Sequence, residues 1–157
     1  MIAHVLALIS NKRCGGHLNA ERAALIGMYH DCTEIITGDM PTPIKYYNTD
    51  TKDAYKNVEQ QAAEELLGML PEYLRDEYEH IFFRNGEEEY LWKIVKAADR
   101  ISAYIKCVEE EKTGNREFAN AKASTYEKLT QMDMPEVRIF LREFGGAYKK
   151  TLDELKK

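Results

Sequence analysis

A histidine and three carboxylates, the residues with the most evident chemistry in this chain, lie within ten residues of one another: His30, Asp31, Glu34 and Asp39. On a helix, side chains three and four positions apart share a face, so Glu34 lies one turn beyond both His30 and Asp31. Neighbouring side chains point about 100° apart, which still lets His30 and Asp31 reach one ion lying between helices. The spacing predicts a divalent-metal site with Glu34 beside it as a proton-transfer group.

A further carboxylate, Asp99, lies at the edge of the apolar stripe of a long predicted helix, four residues after Val95 and next to Ala98. An unpaired carboxylate in such surroundings is costly, so Asp99 needs a metal, a cation or several hydrogen-bond donors. Combined with the His-Asp pair, it makes a mixed nitrogen and oxygen site suited to Mn, Fe, Co or Zn.

Each of these residues also has a purely structural interpretation. A His-Asp pair is expected by chance about once in five chains of this composition. Glu34 could be a surface or capping glutamate, and Asp39 could be a turn residue. Asp99 could instead form a salt bridge. The basic residues near it in the sequence are Lys96, Arg100 and Lys106.

Length, composition and charge restrict the class of protein. The 157 residues, 44% hydrophobic and 31% charged, predict a single domain over residues 1–157 with its own core. The net charge of −5 argues against a nucleic-acid polymer or an anionic membrane as the partner. It is compatible with a small anionic substrate, because a bound cation supplies local positive charge. The sequence has no P-loop, GxSxG, GxGxxG or CxxC motif.

Three scattered cysteines and the apolar N-terminal stretch bear on location. An odd number of cysteines without CxxC spacing predicts reduced thiols and a cytoplasmic protein. The apolar stretch from Met1 to Ser10 is too short to span a bilayer and has no basic region or cleavage pattern, so we expect neither a membrane anchor nor a signal peptide.

Apolar periodicity predicts an all-α helical bundle of about six to seven helices, since no segment alternates as a strand does. We expect the second helix to begin after an Asn19 cap, to continue through Ile35 and to end at Gly38. Pro41 and Pro43 then predict a stiff turn. One further helix is expected from Asn48 or Thr49 to Met69, with Val58 and Met69 on its apolar stripe. The remaining helices are expected at about 1–10, 71–78, 87–112, 116–132 and 135–155.

Two stretches, NAERAALIGMYHDCTEIITGDMPTPIKYYN and VKAADRISAYIKCVEE, resemble a known family. They are similar to the HD-domain phosphohydrolases and, within them, to the bacterial 5′-deoxynucleotidases. The looser match continues to about residue 145. General members often carry Gly-Lys after the His-Asp pair, whereas Thr33-Glu34 and the following Gly-Asp-Met-Pro-Thr-Pro resemble the nucleotidase branch.

The resemblance implies an HD-domain fold, a homodimer, and hydrolysis of the 5′-phosphate of deoxyribonucleoside monophosphates with one divalent metal ion. The ion is Co, Mn, Zn, Fe or Mg, with its identity left open. By resemblance the metal ligands are His30, Asp31 and Asp99, the catalytic residue is Glu34, and the substrate-binding residues are Asp31, Asp39, Met40, Pro41, Thr42 and Asp99.

The same resemblance places the family's first metal-binding histidine upstream of Met1, so we expect the first helix to be truncated. His4 lies nine residues after that position, on the opposite helix face, and cannot replace it. This leaves two alternatives: a catalytically impaired helical dimer that keeps the HD fold, or an HD phosphohydrolase acting on another phosphate ester.

Overall fold

A computed structural model describes residues 1–41, 44, 47–84 and 86–156 of the chain. Within these residues the secondary structure is helical and no strand occurs, which confirms the predicted all-α class. Two short 3₁₀ segments, Gly86–Glu88 and Ala147–Lys149, accompany the α-helices. The α-helices are α1 Ile2–Arg13, α2 Ala20–Tyr29, α3 Glu34–Thr37, α4 Thr49–Met69, α5 Glu72–Phe82, α6 Glu89–Lys112, α7 Ala119–Thr130, α8 Pro135–Phe144 and α9 Leu152–Leu155.

The chain divides into two compact units, one formed by Met1–Gly27 with Tyr90–Lys157 and the other by Met28–Glu89. We call them the first and the second unit. The single domain expected over residues 1–157 therefore stays a prediction. No helix among the described residues has both the length and the apolar character needed to cross a bilayer.

The core of the first unit is organised around the long helix α6. Ile94 and Ile101, two turns apart on this helix, are fully buried, as the apolar periodicity predicted. Leu6 on α1 and Val137 on α8 are also fully buried, where α1 packs against α8. Each such side chain contributes about 1.5–3 kcal/mol through burial, so α6 is firmly fixed in its unit.

In the second unit, α4 packs against both α3 and α5. Asn48 caps α4, because its side chain accepts a 2.7 Å hydrogen bond from the backbone N–H of Thr51. The sequence had left Asn48 and Thr49 open as the start, and the structure makes Asn48 the cap and Thr49 the first helical residue. At the other end of α4, Arg75 donates 3.0 Å hydrogen bonds to the carbonyl oxygens of Leu70 and Gly68. Both ends of the helix are thus tied down.

Several predicted boundaries were wrong. The segment 135–155 is not one helix, because α8 ends at Phe144 before Gly145 and Gly146. The expected helix at 116–132 begins only at Ala119. On α4, Val58 and Met69 were placed on the apolar stripe but are exposed. The second helix also ends early, at Tyr29, and this difference changes the geometry of the site.

Candidate functional site

His30 and Asp31 lie in a turn between α2 and α3, not inside a continuous helix. The N–H of Cys32 donates to the carbonyl of Tyr29 at 2.9 Å, and the N–H of Glu34 donates to the carbonyl of Asp31 at 2.9 Å. Each bond spans three residues, whereas an α-helix spans four. All four residues from His30 to Thr33 are weak helix formers, which explains why the chain tightens here. The prediction of one helix through Ile35 was therefore wrong.

The turn brings the side chains of His30 and Asp31 together. His30 Nε2 and Asp31 Oδ2 are 2.9 Å apart, with 26% of the imidazole side chain and 55% of the carboxylate side chain exposed. Two adjacent ligands of an octahedral ion with bonds of about 2.1 Å are separated by about 3.0 Å, so the pair suits such an ion. When the imidazole is protonated, the two groups can also attract each other directly. The distance between Nε2 and Oδ2 thus fits a shared cation, and the Nε2 atom itself is buried while the Asp31 carboxylate is exposed.

Glu34 opens α3, and its backbone is held from both sides. Its N–H is bonded to Asp31, and its carbonyl accepts a 2.9 Å hydrogen bond from the N–H of Gly38. The side chain is half-buried, so water reaches it. The proposed proton-transfer residue is therefore fixed by a direct backbone bond to one of the proposed metal ligands.

The loop after α3 begins at Gly38, whose φ of 68° and ψ of 164° favour glycine. The Thr37 hydroxyl donates a 3.0 Å hydrogen bond to the Gly38 carbonyl, and the buried Tyr55 hydroxyl on α4 donates a long one of 3.5 Å. The loop therefore starts from a supported position. Of the predicted substrate-binding residues, Asp39 and Pro41 are exposed and Met40 is half-buried, whereas Thr42 lies outside the described residues.

Asp99 lies on α6 in the first unit. It is exposed and follows the buried residues Val95 and Ala98, at the edge of the apolar face where the sequence placed it. Among the described residues of α6, no lysine or arginine forms an ion pair with Asp99. Within each unit, the described residues contain no group of three or more His, Cys, Asp or Glu side chains placed to hold a metal ion.

Cys32 directly follows His30 and Asp31 in the chain, and it is half-buried. Burial of the thiol raises its pKa, and the nearby Asp31 carboxylate raises it further, although backbone N–H groups act in the opposite direction. In the metal-free protein the Cys32 thiol is therefore protonated at neutral pH and is a poor nucleophile.

One feature near the site was not foreseen from the sequence. The rings of Tyr29, Tyr78 and Phe82 contact one another in the second unit, and we call them the aromatic cluster. The hydroxyls of Tyr29 and Tyr78 lie 3.4 Å apart, and this contact is the largest cause of the raised pKa of Tyr29. The sequence did hold one indication of this cluster: Tyr78 and Phe82 are four residues apart, so a helix places both rings on one face.

The chain was compared with known proteins. Residues 1–148 match the family model described as 5′-deoxynucleotidase YfbR-like. A 5′-deoxynucleotidase from Vibrio vulnificus is 46% identical over 154 residues, which cover 98% of this chain and 79% of that protein. A 5′-deoxynucleotidase from Erwinia tasmaniensis is 44% identical over 155 residues, covering 99% and 78%.

A solved structure supports the fold assignment. The crystal structure of an HD-domain phosphohydrolase from Listeria innocua superimposes with a TM-score of 0.77 at 21% identity, covering 99% of this chain and 75% of that one. At 21% identity the similarity shows the fold alone, and this structural match confirms the predicted HD-domain fold. Sequence and fold agree: the chain has the HD-domain fold and belongs to the 5′-deoxynucleotidase YfbR-like family.

Proposed function

We propose that the protein is a metal-dependent phosphohydrolase that removes the 5′-phosphate of deoxyribonucleoside monophosphates. The observation that carries this proposal is the turn in which His30 Nε2 lies 2.9 Å from Asp31 Oδ2 while the backbone of Glu34 is bonded to Asp31. Membership of the YfbR-like family, whose similar proteins are named 5′-deoxynucleotidases, supports the substrate class.

By family resemblance, the residues that would hold the divalent ion are His30, Asp31 and Asp99. An imidazole and two carboxylates suit several first-row transition metals, and the carboxylates and bound water also suit Mg, so Co, Mn, Zn, Fe and Mg are all candidates. The ion would polarise a phosphoryl oxygen and lower the pKa of a bound water to near neutrality. Its positive charge would also offset the acidity of a chain with net charge −5.

Glu34 takes the proton from the attacking water in this proposal. The oxygen of that water forms the new bond to phosphorus, the bond between phosphorus and the 5′-oxygen breaks, and the proton on Glu34 is then available to the leaving oxygen. The products are a deoxyribonucleoside and inorganic phosphate. The loop residues Asp39, Met40, Pro41 and Thr42 would hold the sugar or the base.

The experiment that tests the proposal is a phosphate-release screen over ribo- and deoxyribonucleoside 5′-monophosphates, with each candidate divalent metal and with a chelator. We expect metal-dependent release with a preference for deoxyribonucleotides. A phosphodiester and an unrelated phosphomonoester are assayed in parallel, and hydrolysis of one of these without release from the nucleotides would favour the alternative of another phosphate ester. No release with any metal, together with an intact helical fold, would favour the catalytically impaired alternative.

We also propose that the protein is a cytoplasmic homodimer. Ile35 on α3 and Met28 on α2 are large apolar side chains that are mostly exposed within the second unit, which supports a covered surface there. The three cysteines are free thiols, in keeping with a reducing compartment. Light scattering coupled to size-exclusion chromatography tests the dimer, since a mass near 18.2 kDa would contradict it.

A further inference from the structure

We propose that Tyr29 is a positioning residue for the metal site, and that Tyr78 and Phe82 hold it in place. The inference rests on the proposed function, since it concerns the turn that carries His30 and Asp31. Tyr29 is the last residue of α2, immediately before His30, and it belongs to the second unit together with the rest of the aromatic cluster.

Two ring contacts fix the Tyr29 side chain against α5. The Tyr29 and Tyr78 ring centroids are 5.6 Å apart at 88°, which is the edge-to-face arrangement that aromatic rings prefer. The Phe82 ring lies 6.3 Å from Tyr29 at 53° and 5.8 Å from Tyr78 at 61°. Because all three rings contact one another, Tyr29 cannot change rotamer without disturbing both residues on α5.

The backbone of Tyr29 connects this fixed ring to the ligands. Its carbonyl accepts the 2.9 Å hydrogen bond from the N–H of Cys32, and that bond closes the turn containing His30 and Asp31. The ring thus orients the residue at the start of the turn, and the carbonyl holds the turn closed. The 2.9 Å separation of Nε2 and Oδ2 depends on this closure, because the two side chains leave adjacent residues of the turn.

The simpler alternative is that the aromatic cluster only fills space between α2 and α5. The two roles predict different measurements. A space-filling ring contributes to stability and has no effect on a metal site in the folded protein. A positioning ring changes metal affinity at temperatures where the variant is fully folded. Residues that orient metal ligands typically change metal affinity by about 10–100-fold when they are altered.

The test is titration calorimetry of the metal-free protein with Mn²⁺ and with Co²⁺, with far-UV circular dichroism to establish that each variant is folded. Tyr29→Leu and Tyr78→Leu remove the ring contacts from either side, and Tyr29→Phe keeps the ring while removing the hydroxyl. Tyr73→Leu is the matched control, because Tyr73 is on the same helix α5 but is 80% exposed. His30→Ala reports on the metal site itself.

We expect Tyr29→Leu and Tyr78→Leu to bind both ions about tenfold more weakly, and Tyr29→Phe and Tyr73→Leu to bind like the wild type. Should Tyr29→Leu fail to fold, Tyr78→Leu decides the question. Loss of affinity in His30→Ala but not in the two ring variants would overturn the positioning role alone. Unchanged affinity in His30→Ala would overturn the metal site, and the positioning role with it.

Discussion

The hydroxyl of Tyr90 donates a 2.8 Å hydrogen bond to Oε1 of Glu136, a carboxylate that is completely buried in the first unit. Tyr90 is in the first turn of α6 and Glu136 in the first turn of α8. The other oxygen, Oε2, is buried without a hydrogen-bond partner among the described residues. The Tyr90 hydroxyl is therefore an important partner of this buried carboxylate, and it links the beginnings of the two helices.

Removing that hydroxyl should destabilise the first unit. In Tyr90→Phe, Oε1 loses its donor while Glu136 stays buried, so we expect a loss of about 1.5 kcal/mol in the free energy of unfolding. This value lies in the range for a buried acceptor that is left without its donor, and it is kept low because Tyr90 itself is 39% exposed. Urea denaturation measures the loss, with Tyr73→Phe on an exposed ring as the control. Equal stability of the two variants would contradict the assigned role.

The same contact predicts a dependence on alkaline pH. Burial, and then the hydrogen bond to Glu136, raises the pKa of Tyr90 from 10.0 to about 12. A pKa raised on folding means that the stabilisation is complete below the unfolded value and is lost as pH rises through the folded one. Wild-type stability relative to Tyr90→Phe should therefore fall between about pH 10 and 12. Titrations that follow the absorbance of tyrosine phenolates check this directly in both proteins. The variant should lack the tyrosine that ionises near pH 12 in the wild type.

Glu34→Gln should separate metal binding from turnover. The amide keeps the size of the side chain but cannot accept a proton, so phosphate release should fall by about 10²–10⁴-fold while metal affinity is kept. Glu65→Gln, an exposed change on α4, is the control and should turn over normally. An active Glu34→Gln enzyme would remove Glu34 from the mechanism.

Metal binding should stabilise the protein, and the proposed ligands His30 and Asp99 can each be tested through that stabilisation. At a free metal concentration of 100 times the Kd, the wild type should gain about 2.7 kcal/mol, which raises the Tm of a chain of this size by several degrees. His30→Ala and Asp99→Asn should each reduce that shift, whereas Asp50→Asn at the exposed start of α4 should leave it intact. A full shift in Asp99→Asn would exclude Asp99 as a ligand.

Gly38→Ala and Gly68→Ala should change stability in opposite directions. A Cβ would meet no atom within 4 Å at either position, so only backbone conformation differs. At Gly38 the φ of 68° makes alanine unfavourable by about 1–3 kcal/mol, whereas Gly68 lies inside α4, where alanine is favourable by about 1 kcal/mol. Denaturation midpoints of both variants test this prediction. If both substitutions destabilise the protein, steric contacts of the added Cβ, and not the backbone conformation, set the change in stability.

Local signals in the sequence were sufficient for the helices but not for their exact ends. The apolar stripe of α6 and the start of α4 at Asn48 or Thr49 depend on residues close together in the chain, and the structure agrees with both predictions. The turn after Tyr29 depends on four weak helix formers in a row. Their combined loss of helix propensity is small compared with the helical signal of the apolar residues on both sides, so the sequence pattern did not predict the turn. The end of α8 before Gly145 did have a local signal, the Gly145-Gly146 pair. The strongly amphipathic residues of α8 made a longer helix look more favourable than this signal did.

Contacts between residues far apart in the chain could not be predicted from the sequence. Tyr90 and Glu136 are 46 residues apart and Tyr29 and Tyr78 are 49 apart, so nothing in the local pattern pairs them. The candidate site was identified from residue types and family resemblance, and the structure adds that His30 and Asp31 are joined through a turn. The assignment of Asp99 to the same site remains a prediction.

A pair of ligands carried by a turn can be retuned in a way that ligands inside a helix cannot. An α-helix fixes the distance between neighbouring side chains through its repeating geometry, but the turn after Tyr29 is held by single hydrogen bonds. Widening the gap between Nε2 and Oδ2 from 2.9 Å to about 3.4 Å would match a tetrahedral ion in place of an octahedral one. If His30 and Asp31 bind the proposed ion, substitutions on α5 that move this turn would change which metal is preferred while both ligands stay the same.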